Sequence, residues 1–297
     1  MIRQRQADAG TASLSLYWAC HHHRANRMQD INQGPHLTAL TPSELAELAQ
    51  AKHLLEHPGY VSRMTDMIGM PLEAAVNALP AGWKKRIADV TSASLSKCLG
   101  VATASLRGGG SGAAMPRLHS AAVALTGAAG GVFGLAGLAV ELPVSTVVML
   151  RSIADIGRAN GEDIGSTESQ LACLMVFSLG GPTSADDASE SGYYTARVAL
   201  SKALAEASAY LSRHHVARES APAIVRLIAM IGARFNVQVS QKAAAMMVPI
   251  VGAAGGALLN TLFINHFQDM ARGHFTVRRL ERLYDPDTVR DAYRALP

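Results

Sequence analysis

Apolar residues recur along this chain at three- and four-residue spacing, and no segment sustains the alternation of period two that a half-buried strand requires. β-Branched residues do not gather into strand-like runs either. The pattern predicts an all-α fold, a multi-helix bundle of about nine to eleven helices. Thr41-Pro42-Ser43-Glu44 has the form of a capping box with proline in the first turn, and Leu45, Leu48, Leu54 and Leu55 carry a helix to about His57, where Pro58-Gly59 stops it. Helical patterns follow over residues 61–79, interrupted near Pro71, and over 83–106. Residues 117–141 form a glycine-bearing helix; Pro143 then opens another over 144–159, which ends at Asn160-Gly161. The near absence of a loop at Glu141-Leu142-Pro143 predicts a hairpin or a sharp kink. Ser166 caps an apolar helix reaching Leu179, and further helices are expected over 185–213, 222–236 and 238–283, the last kinked or broken near Pro249. Asp285-Pro286 opens a short terminal helix.

Two stretches without a formal charge stand out, residues 120–140 and 243–265, and each contains Gly-Ala-Ala-Gly-Gly, at 127–131 and 252–256. Both reach the ~20 residues with which an apolar helix crosses a bilayer. Gly127, Gly130, Gly131, Gly134 and Gly137 within one helix cost together roughly 4 to 5 kcal/mol relative to alanine, a cost usually offset by close approach of another helix or a ligand. The repeated pentapeptide is either a remnant of duplication or a coincidence of an Ala/Gly-rich alphabet, since little around it agrees. A Glu-Leu-Pro junction follows the first stretch, and the second contains Pro249 and Asn260. With a mean hydropathy of only +0.14, peripheral membrane association or an amphitropic bundle is expected rather than a multi-span protein.

Composition narrows the remaining classes. Charged residues make up 17% of the 297, below the ~25% usual for soluble domains, and the deficit lies in the two glycine-bearing stretches. A net charge of +4 spread along the chain argues against nucleic acid as a partner. Cys20, Cys98 and Cys173 form neither a disulfide framework nor a metal pattern, so a reducing, cytoplasmic setting is expected. Residues 1–37 carry no periodic pattern and are expected to be disordered or an over-extended start, with Met28 as an alternative beginning. Residues 38–297 are expected to form one helical domain containing a flexible Gly/Ser linker at 108–116. No nucleophile elbow, HExxH, Walker loop, CxxC or dinucleotide fingerprint occurs, so no metal or cofactor is expected and the commonest enzyme classes lack their signature.

Several polar residues remain candidates. Glu141 is the sole formal charge between Arg117 and Arg151; it either serves an apolar site or favours the helix N-terminus at Pro143. Arg151 and Asp155 have ion-pair spacing. His53 and His57 share a helix face but lack a third ligand. Asp186, Asp187 and Glu190 either favour a helix start or form an acid–base group. Asn260, Asn265 and His266 interrupt or bound the second apolar stretch and need hydrogen-bond partners, across helices or on a ligand. Phe263, Phe267, Met270 and Val277 mark a core stripe, whereas Arg272, Arg279 and Arg282 mark a basic face that an anionic membrane surface would attract.

The run from Gly134 through Glu141-Leu142-Pro143, with Arg151 and Asp155 after it, resembles the EcsC protein family. Val248-Pro249 leading through Gly252 and Gly256 to Asn260 and Asn265 is similar to it as well, as is residues 181–197 with Tyr193-Tyr194 before Ala196-Arg197. The resemblance covers roughly residues 83–284 and rests on pattern rather than a catalytic signature. It implies a bacterial helical protein named after an accessory gene beside an ABC transporter operon, without an established activity; ABC transporter components are the protein partners it suggests. Candidate ligand or helix-packing residues are thus Gly127, Gly130, Gly131, Gly134, Gly252 and Gly256, with Glu141, Arg151, Asp155, Tyr194, Arg197, Asn260 and His266. The expected function is a non-catalytic accessory protein at the inner membrane surface or on a lipid-like ligand. A hydrolase with its site near Glu141, Asp155, Asp186 or His266, and a soluble bundle serving as an interaction module, are the alternatives.

Overall fold

A computed structural model describes residues 39–105, 135–181, 192–214, 218, 220–247 and 252–297. The N-terminal 37 residues, the linker at 108–116, Gly127, Gly130, Gly131 and Gly134, and the Asp186 cluster lie outside the described residues. Among the described residues the fold is all-α, with ten helices and no strand. They are α1 (Pro42–Glu56), α2 (Tyr60–Ile68), α3 (Leu72–Asn77), α4 (Trp83–Ser105), α5 (Leu135–Ala159), α6 (Thr167–Met175), α7 (Gly192–His214), α8 (Pro222–Met246), α9 (Gly252–Leu283) and α10 (Pro286–Ala295); a 3₁₀ turn, Val176–Ser178, follows α6.

Local chemistry sets most boundaries. Thr41 and Glu44 form the capping box in full, each side chain accepting from the other's backbone amide. Ser166 accepts from the Ser169 amide and Asp285 from those of Asp287 and Thr288. Gly161 follows α5 with φ +80°, the left-handed stop read from Asn160-Gly161.

Two boundaries differ from the sequence expectation. Pro143 neither starts a helix nor makes a hairpin: α5 runs through it from Leu135 to Ala159. Proline removes only the bond from its own nitrogen to the carbonyl four residues back. That residue, Ala139, is exposed, where solvent can replace the lost donor, and the Thr146 hydroxyl donates to the Leu142 carbonyl at 2.6 Å. The helix expected over 222–236 continues to Met246, because Gln238, Val239, Lys242 and Ala243 extend its buried face without a breaker. The charge-free stretch 243–265 is therefore divided between α8 and α9 rather than forming one bilayer-length segment.

The core gathers on α9, whose Phe263, Phe267, Met270, Phe275, Val277 and Leu280 are all fully buried. Phe177, Phe235 and Phe267 interlock with ring centroids 5.0–5.4 Å apart in tilted or edge-on pairs. Helix α9 packs on α1 and α5, and α8 packs on α4 and α7. The close approach expected of the pentapeptide glycines is seen at another glycine: a Cβ on Gly273 would stand 2.6 Å from Leu55 Cγ and 3.0 Å from the Ala51 carbonyl oxygen. Only a residue without a side chain lets α1 and α9 lie so near.

Candidate functional site

Three helices converge on Glu141. From α5 its carboxylate reaches the interior; Lys242 Nζ of α8 donates to Oε2 at 2.8 Å, and Asn260 Nδ2 of α9 donates to Oε1 at 2.9 Å. The lysine and glutamate side chains are only 1% and 4% exposed. The ammonium also lies 4.7 Å from the centre of the Phe263 ring, whose negative face adds to its stabilisation. Glu141 thus sits mid-helix and holds a buried ion pair. The expectation that it favours a helix N-terminus at Pro143 fails, because no helix begins there.

One to two turns further along α9, His266 stacks on Tyr60 of α2 at 4.8 Å. Its ring edge rests on Gly180, which has φ +69°; a Cβ there would fall 2.5 Å from His266 Cε1 and 2.7 Å from Met270 Sδ. Burial depresses the His266 imidazole to about 4, so it is neutral at pH 7. Burial likewise raises the Tyr60 phenol far above its usual range. Among the described residues, neither His266 Nε2 nor Tyr60 Oη has a hydrogen-bond partner.

A second buried cluster joins α7 to α9 and α10. Arg197 grips Glu281 with two nitrogens, at 2.6 and 2.9 Å, and Tyr193 Oη lies 2.9 Å from His274 Nδ1. Tyr194 meets Tyr293 edge-on at 5.2 Å. Burial first, then the charges of Arg278 and Arg197, lowers the His274 imidazole well below the histidine range. A third cluster centres on Glu162, in the loop after α5. Arg278 donates to both its oxygens at 2.9 and 3.1 Å, Ser169 at 2.7 Å, and Arg282 also donates to Oε1. Burial alone would raise this carboxyl, but the Arg278 bonds and charge, with Ser169 and Arg282, outweigh it and hold it at about 2.

The other sequence candidates take simpler places. Arg151 is exposed, while Asp155 pairs with Arg158 at 2.8 Å, three residues on rather than four back. Gly252 opens α9 and Gly256 is buried within it. Asn260 is the inter-helix bond expected of it. His53 and His57 stack at 5.7 Å, and no group of three ligating side chains suits a metal among the described residues. The basic face of α9 is met by acids of the same chain: Arg272 by Asp269, Arg279 by Glu47, Arg282 by Glu162. Burial raises both described thiols, Cys98 above and Cys173 to about 12, so neither is a nucleophile at neutral pH.

Sequence reasoning missed Lys242, Tyr193's partner His274, Glu162, Arg278 and Glu281. One signal was present: Lys242 is the sole formal charge between Arg234 and Asp269, as Glu141 is between Arg117 and Arg151. Two solitary charges of opposite sign in apolar surroundings are expected to find each other, since an unpaired buried charge is prohibitively costly.

These features define an all-α bundle whose interior is tied by paired buried charges. Residues 61–280 match the model of the EcsC protein family, and the chain belongs to that family. No curated protein and no solved structure matches it.

Proposed function

We propose that this chain is a non-catalytic helical accessory protein that works at the inner surface of the cytoplasmic membrane, in support of a transport or envelope process. The observation that supports this reading is a pair of exposed valines on one face of α5, with an exposed leucine on α9. Val140 and Val144, one turn apart on α5, are 75% and 43% exposed, and Leu258 on α9 is 48% exposed. Val140 and Val144 therefore share one face of α5. The segments Gly137–Ala159 and Pro222–Met246 have mean hydropathies of 1.4 and 1.3, long and apolar enough to cross a membrane, yet only 61% and 39% of their apolar windows are buried. Exposed apolar side chains that share a helix face favour contact with a membrane or a partner.

Peripheral contact is favoured over spanning, because Lys242 and Glu141 are engaged with each other inside the bundle. A hydrolase has less support: Glu141 is held by Lys242 and Asn260, Asp155 by Arg158, and His266 lies beneath Tyr60. Flotation with vesicles of phosphatidylcholine and phosphatidylglycerol tests the proposal. The full chain is expected to rise with the vesicles and to be released by carbonate, and the Val140→Asp/Val144→Asp chain to stay behind. A wild-type chain that stays in the soluble fraction overturns it.

A further inference from the structure

The cations of this chain divide between the two ends of the bundle. Toward the end of α9, Arg278, Arg279 and Arg282 are each met by an acid of another element. In the first turn of α4, Lys84, Lys85 and Arg86 are exposed and form no ion pair among the described residues. Helices α1, α3, α6 and α10 each place an acid in the first turn, Glu44, Glu73, Glu168 and Asp287, where the positive helix end favours it. Helix α4 has no acid there and three cations instead, so helix stability does not account for them. The Arg86 guanidinium rests 5.4 Å from the centre of the half-buried Trp83 ring. An indole beside cations suits the boundary between lipid headgroups and water.

Helix packing brings exposed apolar residues to the same end. The Thr91 hydroxyl of α4 is 3.5 Å from Asn236 Oδ1 of α8, and a Cβ on Gly232 would stand 3.6 Å from Leu95 Cδ1, so α4 and α8 run antiparallel. Six residues back from Thr91 and six on from Asn236, about 9 Å along each helix, Lys85 comes level with Lys242. Lys242 and Asn260 both bond Glu141, and Gln268 of α9 bonds Ser152 of α5, so α5 and α9 run parallel from that level. The starts of α4 and α9, the end of α8 and the Glu141 turn of α5 therefore share one end of the bundle. Val140, beside Glu141, and Leu258, two residues before Asn260, are 75% and 48% exposed there. Residues 222–246 of α8 include no acid, α9 has none before Asp269, and the only acid of α5 before Asp155 is the buried Glu141. Glu73 and Asp89 are the exposed acids nearest the basic turn in the chain, and neither pairs with it.

We infer that this end of the bundle is the membrane-docking face, with Lys84, Lys85 and Arg86 on anionic phospholipid headgroups and Val140 as an apolar contact. The inference rests on the membrane reading and adds to it the surface, its orientation and the lipid class. Each cation near an anionic surface strengthens binding several-fold, and three alone hold weakly. An apolar contact at the same end supplies the second signal that stable attachment requires. Nucleic acid would engage the cations but leave Val140 and Leu258 in water.

Two variants of the full chain with equal net charge test the inference: Lys84→Glu/Lys85→Glu, and Arg213→Glu/Arg218→Glu. Arg213 and Arg218 are exposed and lie just before α8 begins, at the opposite end from its last turn. Acids in a first turn favour a helix, so the α4 variant is expected to keep or raise Tm. Binding is read by cosedimentation with vesicles of phosphatidylglycerol and phosphatidylcholine, against phosphatidylcholine alone. The wild-type chain is expected to prefer the phosphatidylglycerol vesicles, less so as salt rises. The α4 variant should lose about tenfold or more of that affinity, and the Arg213/Arg218 variant less than about twofold. Equal loss in both variants, or none in the α4 variant, overturns the inference. Equal wild-type binding to the two vesicle types overturns it and leaves the membrane reading standing. Binding to neither overturns both, and polyglutamate that then binds the wild type but not the α4 variant assigns the basic turn to an acidic protein instead.

Discussion

The two halves of α9 solve the same problem in opposite ways. Its first half passes through dry core, where Asn260 supports the single pair Glu141–Lys242 and His266 stays neutral under Tyr60. Its second half carries Arg278, Arg279, Glu281 and Arg282, half-buried or at the rim, each tied to an opposite charge on another element: Glu162 before α6, Glu168 on α6, Glu47 on α1, Arg197 on α7. In the dry half each charge has one counter-charge, so loss of one partner strands the other. In the wet half a carboxylate such as Glu162 has two guanidiniums and a hydroxyl, and solvent can fill a vacancy. Redundancy and wetness, rather than the number of ion pairs, decide how much a single residue matters.

The sharpest break of this contrast is Lys242→Ala. It leaves Glu141 charged in a dry site, and about 3–5 kcal/mol of stability is expected to be lost in urea unfolding, whereas Glu141→Leu with Lys242→Met should be near neutral or stabilising. A double variant as unstable as the single one would show that the pair itself, not the stranded charge, holds the helices.

Acid separates the buried histidines from the Glu162 cluster without mutation. His266 has a folded value of about 4, below the 6.5 of an unfolded histidine, so between these values the unfolded chain binds the proton that the folded chain refuses. Stability should therefore fall with pH below 6.5, by about 1.4 kcal/mol per pH unit for His266, with His274 adding in the same direction. Glu162, held at about 2 against 4.5 when free, contributes stability fully present above 4.5 and lost only as pH drops from there toward 2. Urea midpoints measured from pH 7.5 to 3.5 should show the histidine slope first; a flat profile between 6.5 and 4.5 would contradict it.

Gly180→Ala should cost ~1–3 kcal/mol, because a side chain at φ +69° is strained and its Cβ meets His266 and Met270. Thermal unfolding checks it. Arg282→Ala, in the wet half, should cost about 1 kcal/mol or less, since Arg278 remains on Glu162, and the difference should shrink in high salt.

Caps and stops were legible from sequence because they act over three or four residues: Thr41 with Glu44, Ser166, Gly161 and Asp285 need only their neighbours. Pro143 and the end of the helix expected over 222–236 misled for the complementary reason. A proline breaks a helix only where the freed carbonyl and the ring have nowhere to go, and the exposed side of α5 at Ala139 gives them room. The helix from Pro222 runs on to Met246 because Gln238, Val239, Lys242 and Ala243 keep facing the core. Of the candidate site, Glu141, Asn260 and His266 drew attention through odd composition around them, and Arg197 through the family resemblance. Their partners Lys242, Glu281 and Gly180 lie 101 residues from Glu141, 84 from Arg197 and well before His266 in the chain, and local pattern carries no such pairing.

By itself, then, the sequence determined that this protein is helical, where several helices begin and end, and that Glu141 stands alone among apolar residues. Those are properties of hydrogen bonds within a turn and of side-chain periodicity. Only the tertiary structure decided that Glu141 meets Lys242 and that the basic stripe of α9 is met by the chain's own acids. Pairing of distant groups is set by which helix faces pack together, a choice the whole core makes at once.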